Sequence, residues 1–341
     1  MRSQYCLWTA VLLMVGCQTR QTQPEQPPAP DFVIAFGSCN RSELPNTLWD
    51  DVLDANPHVW IWGGDIVYAD TDSIPLLRQA FRRQDSVPGY VALRAQVPIL
   101  GTWDDHDYGL NDGGAEFQAR DSSQQVLLDF LGVAASDPRR LRPGVYHSET
   151  FRHEGFAVKI ILLDTRYHRS ALTPDTTGTK RYVPNTSGKG TMLGEAQWRW
   201  LEAQLRSSRA DFNLVVSSVQ VLSDQHGFEG WGNMPHERDR LLRLVSQSGA
   251  RGVILLSGDR HISEFSRLEA DTLRYPIVDF TSSGLTHVYS GFSGEPNPYR
   301  VGEVVARQSF GLLRLSPKTG MAQMEIVGDS SKVLASLQQQ Y

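Results

Sequence analysis

Five times along this chain an apolar, strand-like run stops abruptly and side chains suited to metal ions follow at once. Phe32–Phe36 leads into Gly37-Ser38-Cys39-Asn40, and His58–Trp62 into Gly63-Gly64-Asp65. Val97–Trp103 leads into Asp104-Asp105-His106-Asp107, Phe156–Leu163 into Asp164-Thr165-Arg166, and Val253–Leu256 into Ser257-Gly258-Asp259-Arg260-His261. Short apolar runs bounded by turn residues read as buried strands. In layered α/β domains the ligand site lies at the carboxyl ends of such strands. One polar tip is commonplace; five in sequence order predict a single polar edge, gathered by strands that are at least partly parallel.

Helical spacing of apolar residues fills the intervals, over 46–56, 74–84, 122–131, 194–207 and 237–246. Further strands are predicted over 212–218, 277–281, 312–315 and 321–327, and residues 170–192 read as a long surface loop. Strands alternating with helices predict an α/β layered domain. Residues 31–341 carry no internal repeat and no composition break that would divide them. With 40% hydrophobic residues and eight Trp the chain can bury a full core. Its net charge of −5 argues against a nucleic-acid-binding surface, which wants clustered Lys and Arg. An anionic substrate would then need local cations to hold it.

The first seventeen residues read as a processing signal, with Arg2 ahead of a short apolar run from Leu7 to Val15. Met14-Val15-Gly16-Cys17 resembles the bacterial lipobox, which makes Cys17 the expected lipidation site; the bland alternative is a plain signal peptide ending there. Residues 18–30 are polar and Pro-rich, as a tether would be. Gln18 in place of Asp implies an exported lipoprotein of the outer membrane, facing the periplasm.

With Cys6 in the signal and Cys17 lipidated, Cys39 is the one remaining thiol. An unpaired thiol in an exported protein is better read as a metal-bound thiolate than as a packed core residue. Asp65 and Tyr68, three apart, can turn both oxygens to one centre, although a lone Asp after a strand more often caps a helix. The segment 104–112 holds four Asp, His106 and Asn111 within nine residues, and such crowding repels unless cations or water intervene. Asp259 and His261, two apart at a strand end, would share a face if the chain there were extended. Arg166 is the candidate phosphate clamp, its alternative being an ion pair with a nearby acid. His226 is a marginal candidate. The donor set mixes hard oxygens, which suit Ca²⁺, Mg²⁺ or Mn²⁺, with thiolate and imidazole, which suit iron or zinc.

Together these segments, with Leu163-Asp164-Thr165-Arg166 and Gly194-Glu195-Ala196-Gln197-Trp198, resemble the PhoD-type alkaline phosphatases of the calcineurin-like metallophosphoesterase group. The resemblance implies a four-layer α/β/β/α sandwich and a centre of Fe³⁺ and Ca²⁺. It implies that Cys39, Asp65 and Tyr68 hold iron, that Asp65 bridges to calcium, and that Asn111, Asp259 and His261 complete the cluster. Asp104 and Asp105 would lie at or beside the metals, His106 near the leaving group, and Arg166 on the phosphate. Larger members carry an extra N-terminal β domain, where only a Pro-rich tether precedes the first strand here; with a long C-terminal capping helix also expected to be absent, a more open pocket is expected. The implied reaction is hydrolysis of a phosphate ester, monoester or diester, by a metal-activated water. The alternatives are a phospholipase-like diesterase acting on lipid headgroups and a non-enzymatic metal-binding surface lipoprotein.

Overall fold

The computed structural model describes residues 31–316 and 318–341, so the signal, the Cys17 lipidation site and the 18–30 tether lie outside the described residues. The chain runs β1 (Phe32–Gly37), α1 (Trp49–Asp54), β2 (Val59–Gly63), α2 (Ile74–Asp85), α3 (Pro88–Gln96), β3 (Ile99–Thr102), α4 (Asp105–Tyr108) and α5 (Arg120–Phe130). There follow β4 (His147–His153), β5 (Phe156–Leu162), the short β6 (Thr173–Pro174) and β7 (Tyr182–Val183), α6 (Gly194–Arg206), β8 (Phe212–Val216), α7 (Pro235–Gln247) and β9 (Val253–Ser257). The remainder is β10 (Ser263–Leu268), β11 (Ile277–Ser282), β12 (Arg300–Val305), β13 (Phe310–Ser316), β14 (Met321–Gly328) and β15 (Lys332–Gln340).

Two mixed sheets stack face to face. One has the order β15-β14-β13-β1-β2-β3, the other β12-β10-β11-β9-β8-β5-β4. In the first, β1, β2 and β3 are parallel; in the second, β5, β8, β9 and β11 are.

Strand alternation sends successive side chains into different cores. Val59 and Ile61 of β2 join Phe212, Leu214 and Val216 of β8 between the sheets. Trp60 and Trp62 of the same β2 point the other way, onto Trp49 of α1 and Tyr90 of α3. Val215 of β8 and Leu255 of β9 likewise face Trp198 and Leu201 of α6 and Leu241 of α7. Three separate cores therefore hold four layers in the order α/β/β/α. Leu, Ile, Val and Trp on both faces of the central strands are what this burial demands.

Three elements fall where none was expected. Residues 332–340 form β15, which pairs antiparallel with β14. Residues 88–96 form a helix, and residues 147–153 an edge strand whose polar alternation hid it.

Candidate metal centre

The carboxyl ends of both parallel strand sets meet at one edge, and two glycines let them approach. A Cβ on Gly258, just past β9, would sit 2.5 Å from Ser38 Oγ and 2.8 Å from the Gly63 carbonyl oxygen. A Cβ on Gly64, whose φ is +98°, would sit 2.6 Å from Asp104 Cβ. No larger residue fits either position without moving backbone. Cys39, Asp65, Asp259 and His261 all adopt positive φ, at 59°, 49°, 69° and 54°. Left-handed backbone at non-glycine residues carries strain, and proteins concentrate such strain at functional sites. It also corrects the expected geometry of Asp259 and His261: the segment is a tight turn, with Arg260 N donating to the Gly258 carbonyl at 2.9 Å, rather than an extended strand.

Three overlapping groups result, each with its potential ligand atoms within 4.8 Å of one another: Cys39, Asp65 and His261; Asp65, Asp105 and His106; and Asp65, Asp104, Asp105 and Asp259. Asp65 belongs to all three. Its Oδ2 accepts from Cys39 Sγ and from Tyr68 Oη, both at 3.3 Å, and Tyr68 Oη lies 3.3 Å from His261 Nε2. The other oxygen of Asp65, and Oδ2 of Asp104, are buried without a hydrogen-bond partner. Asn111 lines the adjoining cleft and is exposed there.

The electrostatics point the same way. At 4.8 Å two ionised carboxylates repel by roughly 3 kcal/mol, taking an effective dielectric of about 20. Burial, then the charges of Cys39, Asp105, Asp104 and Asp107, holds the Asp65 carboxyl well above the usual range. Burial and the charges of Asp104, Asp105 and Glu229 do the same to Asp259. Asp105 goes the other way: burial pushes it up, but Arg166, His106 and the Asp112 N–H together bring it below its ordinary value. Burial also pushes the Cys39 thiol up, yet His261, Ser283 and Tyr68 bring it down to about 6. Orphaned carboxylate oxygens, crowded like charges and an acidified thiol are a donor set that cations would neutralise, so these residues fit a metal cluster.

The surrounding residues sort by contact. Asp107 accepts from Ile66 N at 2.9 Å and Asp104 N at 2.6 Å, tying two tips together. His106 Nδ1 lies 2.7 Å from Asp70 Oδ1 and its ring sits 4.0 Å from that of Tyr68. Burial lowers its pKa, but Asp70 and Asp105 lift it to about 9.

Of the two expectations for Arg166, a phosphate clamp or an ion pair with a nearby acid, its contacts are those of the ion pair. It is fully buried, its Nε donates to Asp104 Oδ1 at 2.7 Å, and it pairs with Glu229. Its guanidinium is held behind the cluster, on acids that would otherwise be uncompensated. Asp164 braces the fold through four N–H donors. His226 stands outside the cluster, its Nδ1 accepting from Phe228 N at 3.1 Å.

Sequence reasoning passed over Glu229, Ser283 and His287. Ser283 Oγ is 3.0 Å from Cys39 Sγ, and the His287 ring is 4.3 Å from that of His261. Both follow β11, which was expected as a strand, but its tip carries no acid and so gave no signal of a ligand. The cleft over the edge, about 490 Å³, has Asp105, His106, Asn111, Asp259 and His261 in its lining.

Two stacked mixed sheets between helical layers, with such an edge at their parallel tips, define a metallophosphoesterase-type sandwich. The chain belongs to the PhoD-like phosphatase family, whose profile matches residues 34–329. It is 24% identical over 282 residues to alkaline phosphatase D of Bacillus subtilis (strain 168), covering 71% of this chain; the chain spans about half of that relative, 48% of its length. The solved structure of PhoD superposes with a TM-score of 0.67 at 18% identity, covering 92% of this chain and 69% of that one. GAP50, the anchor in the inner membrane complex of Plasmodium, gives 0.61 at 15% identity, covering 91% and 89%. A dimetal phosphatase from Danio rerio gives 0.54 at 15% identity, covering 92% and 99%.

Proposed function

We propose that this chain hydrolyses phosphate esters at a metal cluster whose shared carboxylate is Asp65. The observation that carries the reading is the membership of Asp65 in three ligand groups at once, beside a cleft that takes in His106. Cys39, Asp65, Tyr68 and His261 would hold one cation, and Asp65, Asp105, Asn111 and Asp259 would hold others. The thiol–phenol pair favours Fe³⁺ and the oxygen-rich side Ca²⁺, with other divalent ions as substitutes. Bound there, the cations would neutralise phosphate charge and acidify a water for in-line attack.

The chain's own residues supply the rest. His106, with Nδ1 on Asp70 and a pKa of about 9, holds a proton at neutral pH and can donate it from Nε2 to the leaving oxygen. Arg166 acts as a positioning residue, orienting Asp104 and Glu229. GAP50 is an anchor, so a sandwich of this shape serves other roles as well; the intact thiol, phenol, imidazole and carboxylates around Asp65 favour catalysis here. Export and lipidation at Cys17, with residence in the outer membrane, complete the proposal. They rest on Met14–Cys17 and the Pro-rich segment after it.

The test is turnover of para-nitrophenyl phosphate and of its bis-ester by protein loaded with iron plus calcium, or with zinc or manganese. Hydrolysis abolished by chelation supports the reading; no hydrolysis under any loading overturns it. Preferential cleavage of phospholipid vesicles over both chromogenic esters would move it to lipid headgroups. For the iron, the native protein should be coloured, with a band that Tyr68→Phe and Cys39→Ser both shift. An active, colourless protein without iron would sink that assignment alone.

A further inference from the structure

Besides the acids and imidazoles, the cleft is lined by apolar side chains. Among the described residues the only aromatic side chains that rank as large exposed hydrophobics are Phe228, at 36%, and Tyr289, at 41%, and both line this cleft. Val288 lines it as well. Exposed apolar surface gathered in a concave site marks a place where a ligand is contacted.

Phe228 through its ring and Tyr289 through its backbone are tied to the turn that carries Asp259 and His261. The Arg260 guanidinium carbon stands 4.3 Å over the Phe228 ring, and Arg260 is itself held by both carboxylate oxygens of Glu295 at 2.8 Å. Its charge is therefore engaged, and its flat face serves as backing for Phe228. His226 stacks on the same ring, centroids 6.1 Å apart and planes 25° apart. Tyr289 is fixed through its backbone, whose N–H donates to the His261 carbonyl at 2.8 Å. Two aromatic side chains thus line the cleft next to the phosphate-handling groups, in a space larger than a phosphate requires.

Resting on the phosphoesterase reading, we propose that Phe228 and Tyr289 form a stacking subsite for the organic group of the ester. The substrates are then phosphate esters of planar rings, aryl or nucleobase, in preference to alkyl esters. Ring faces and edges favour one another beyond simple area burial, and stacking on an aromatic side chain tolerates many ring types.

The experiment is calorimetric binding of phenylphosphonate and methylphosphonate, which present the same anion and are not turned over, to the metal-loaded full chain. Phenylphosphonate should bind about tenfold tighter, equivalent to about 1.4 kcal/mol. In Phe228→Leu or Tyr289→Leu that ratio should fall to within about twofold, since leucine keeps apolar bulk and loses the ring face. Methylphosphonate binding by each variant reports that its site is intact. Equal affinity for the two phosphonates in the wild type overturns the subsite alone, as does a ratio unchanged in both variants. Binding of neither phosphonate by the wild type overturns the phosphoesterase reading and the subsite with it.

Discussion

Asp65 and Asp164 begin from the same situation. Each lies two residues past a parallel strand, β2 for one and β5 for the other, and each is essentially without solvent exposure. Asp164 has its Oδ1 on Trp103 Nε1 and the backbone N–H groups of Arg166 and Tyr167, and its Oδ2 on Val145 N, all at 2.9 Å. Asp65 has one oxygen on two weak donors at 3.3 Å and the other with none, amid like charges. A buried carboxylate saturated by neutral N–H donors is a brace. One left short of donors among other acids is a place for a cation. The difference lies in the partners: to the N–H groups of its own turn Asp164 adds Trp103 and Val145, whereas Asp65 gains only the thiol of Cys39 beyond its neighbour Tyr68.

Substitution can break this contrast, and the largest effect should come from Asp65→Asn. Metal analysis should show more than one ion lost, and turnover should drop by on the order of 10³-fold, as when a group stabilising developing charge is removed. The metal-free variant should melt at the wild-type temperature or above, because one of the crowded charges is gone. A full metal complement in that variant would make Asp65 a brace like Asp164.

Arg166→Met comes next. Stranding Asp104 and Glu229 without their cation should destabilise the protein by about 3–5 kcal/mol in urea denaturation. A variant of wild-type stability with only a raised KM for phosphate esters would return Arg166 to the role of clamp. Asp164→Ala should lower stability by about 2–3 kcal/mol through its abandoned N–H donors, while the folded fraction keeps its metals. Loss of metal there, with stability preserved, would erase the distinction between the two carboxylates.

The smallest effect concerns a pair at the rim. His106 is raised from its ordinary 6.5 to about 9, so the stability it contributes is full below about pH 6.5 and is lost as pH rises through about 9. In metal-free Asp70→Asn this slope should flatten and the His106 NMR titration should move toward 6.5. An unmoved titration would mean that Asp70, at the exposed rim, contributes nothing.

Much of this was legible from local pattern. Apolar runs ending at Cys39, Asp65, Asp104, Asp164 and Asp259 declared parallel strands with one polar edge, because strand burial and the turn after it are written within a few residues. The four-layer order was implied only by the family resemblance, although the apolar runs of β5, β8 and β9 are those of strands covered on both faces. Direction and partnership were not written there. Arg166 looked like a clamp from its place on a strand tip, and its turn toward Asp104 depends on a contact 62 residues away. Tyr68 and His261 meet across 193 residues. Glu229 and His287 had no local signal, since a loop acid and a loop histidine are ordinary until the sheets stack. Side-chain periodicity is set by the backbone of one element. Which acid is saturated and which is left for a cation is set by the neighbours that packing brings, and only the tertiary structure decides those.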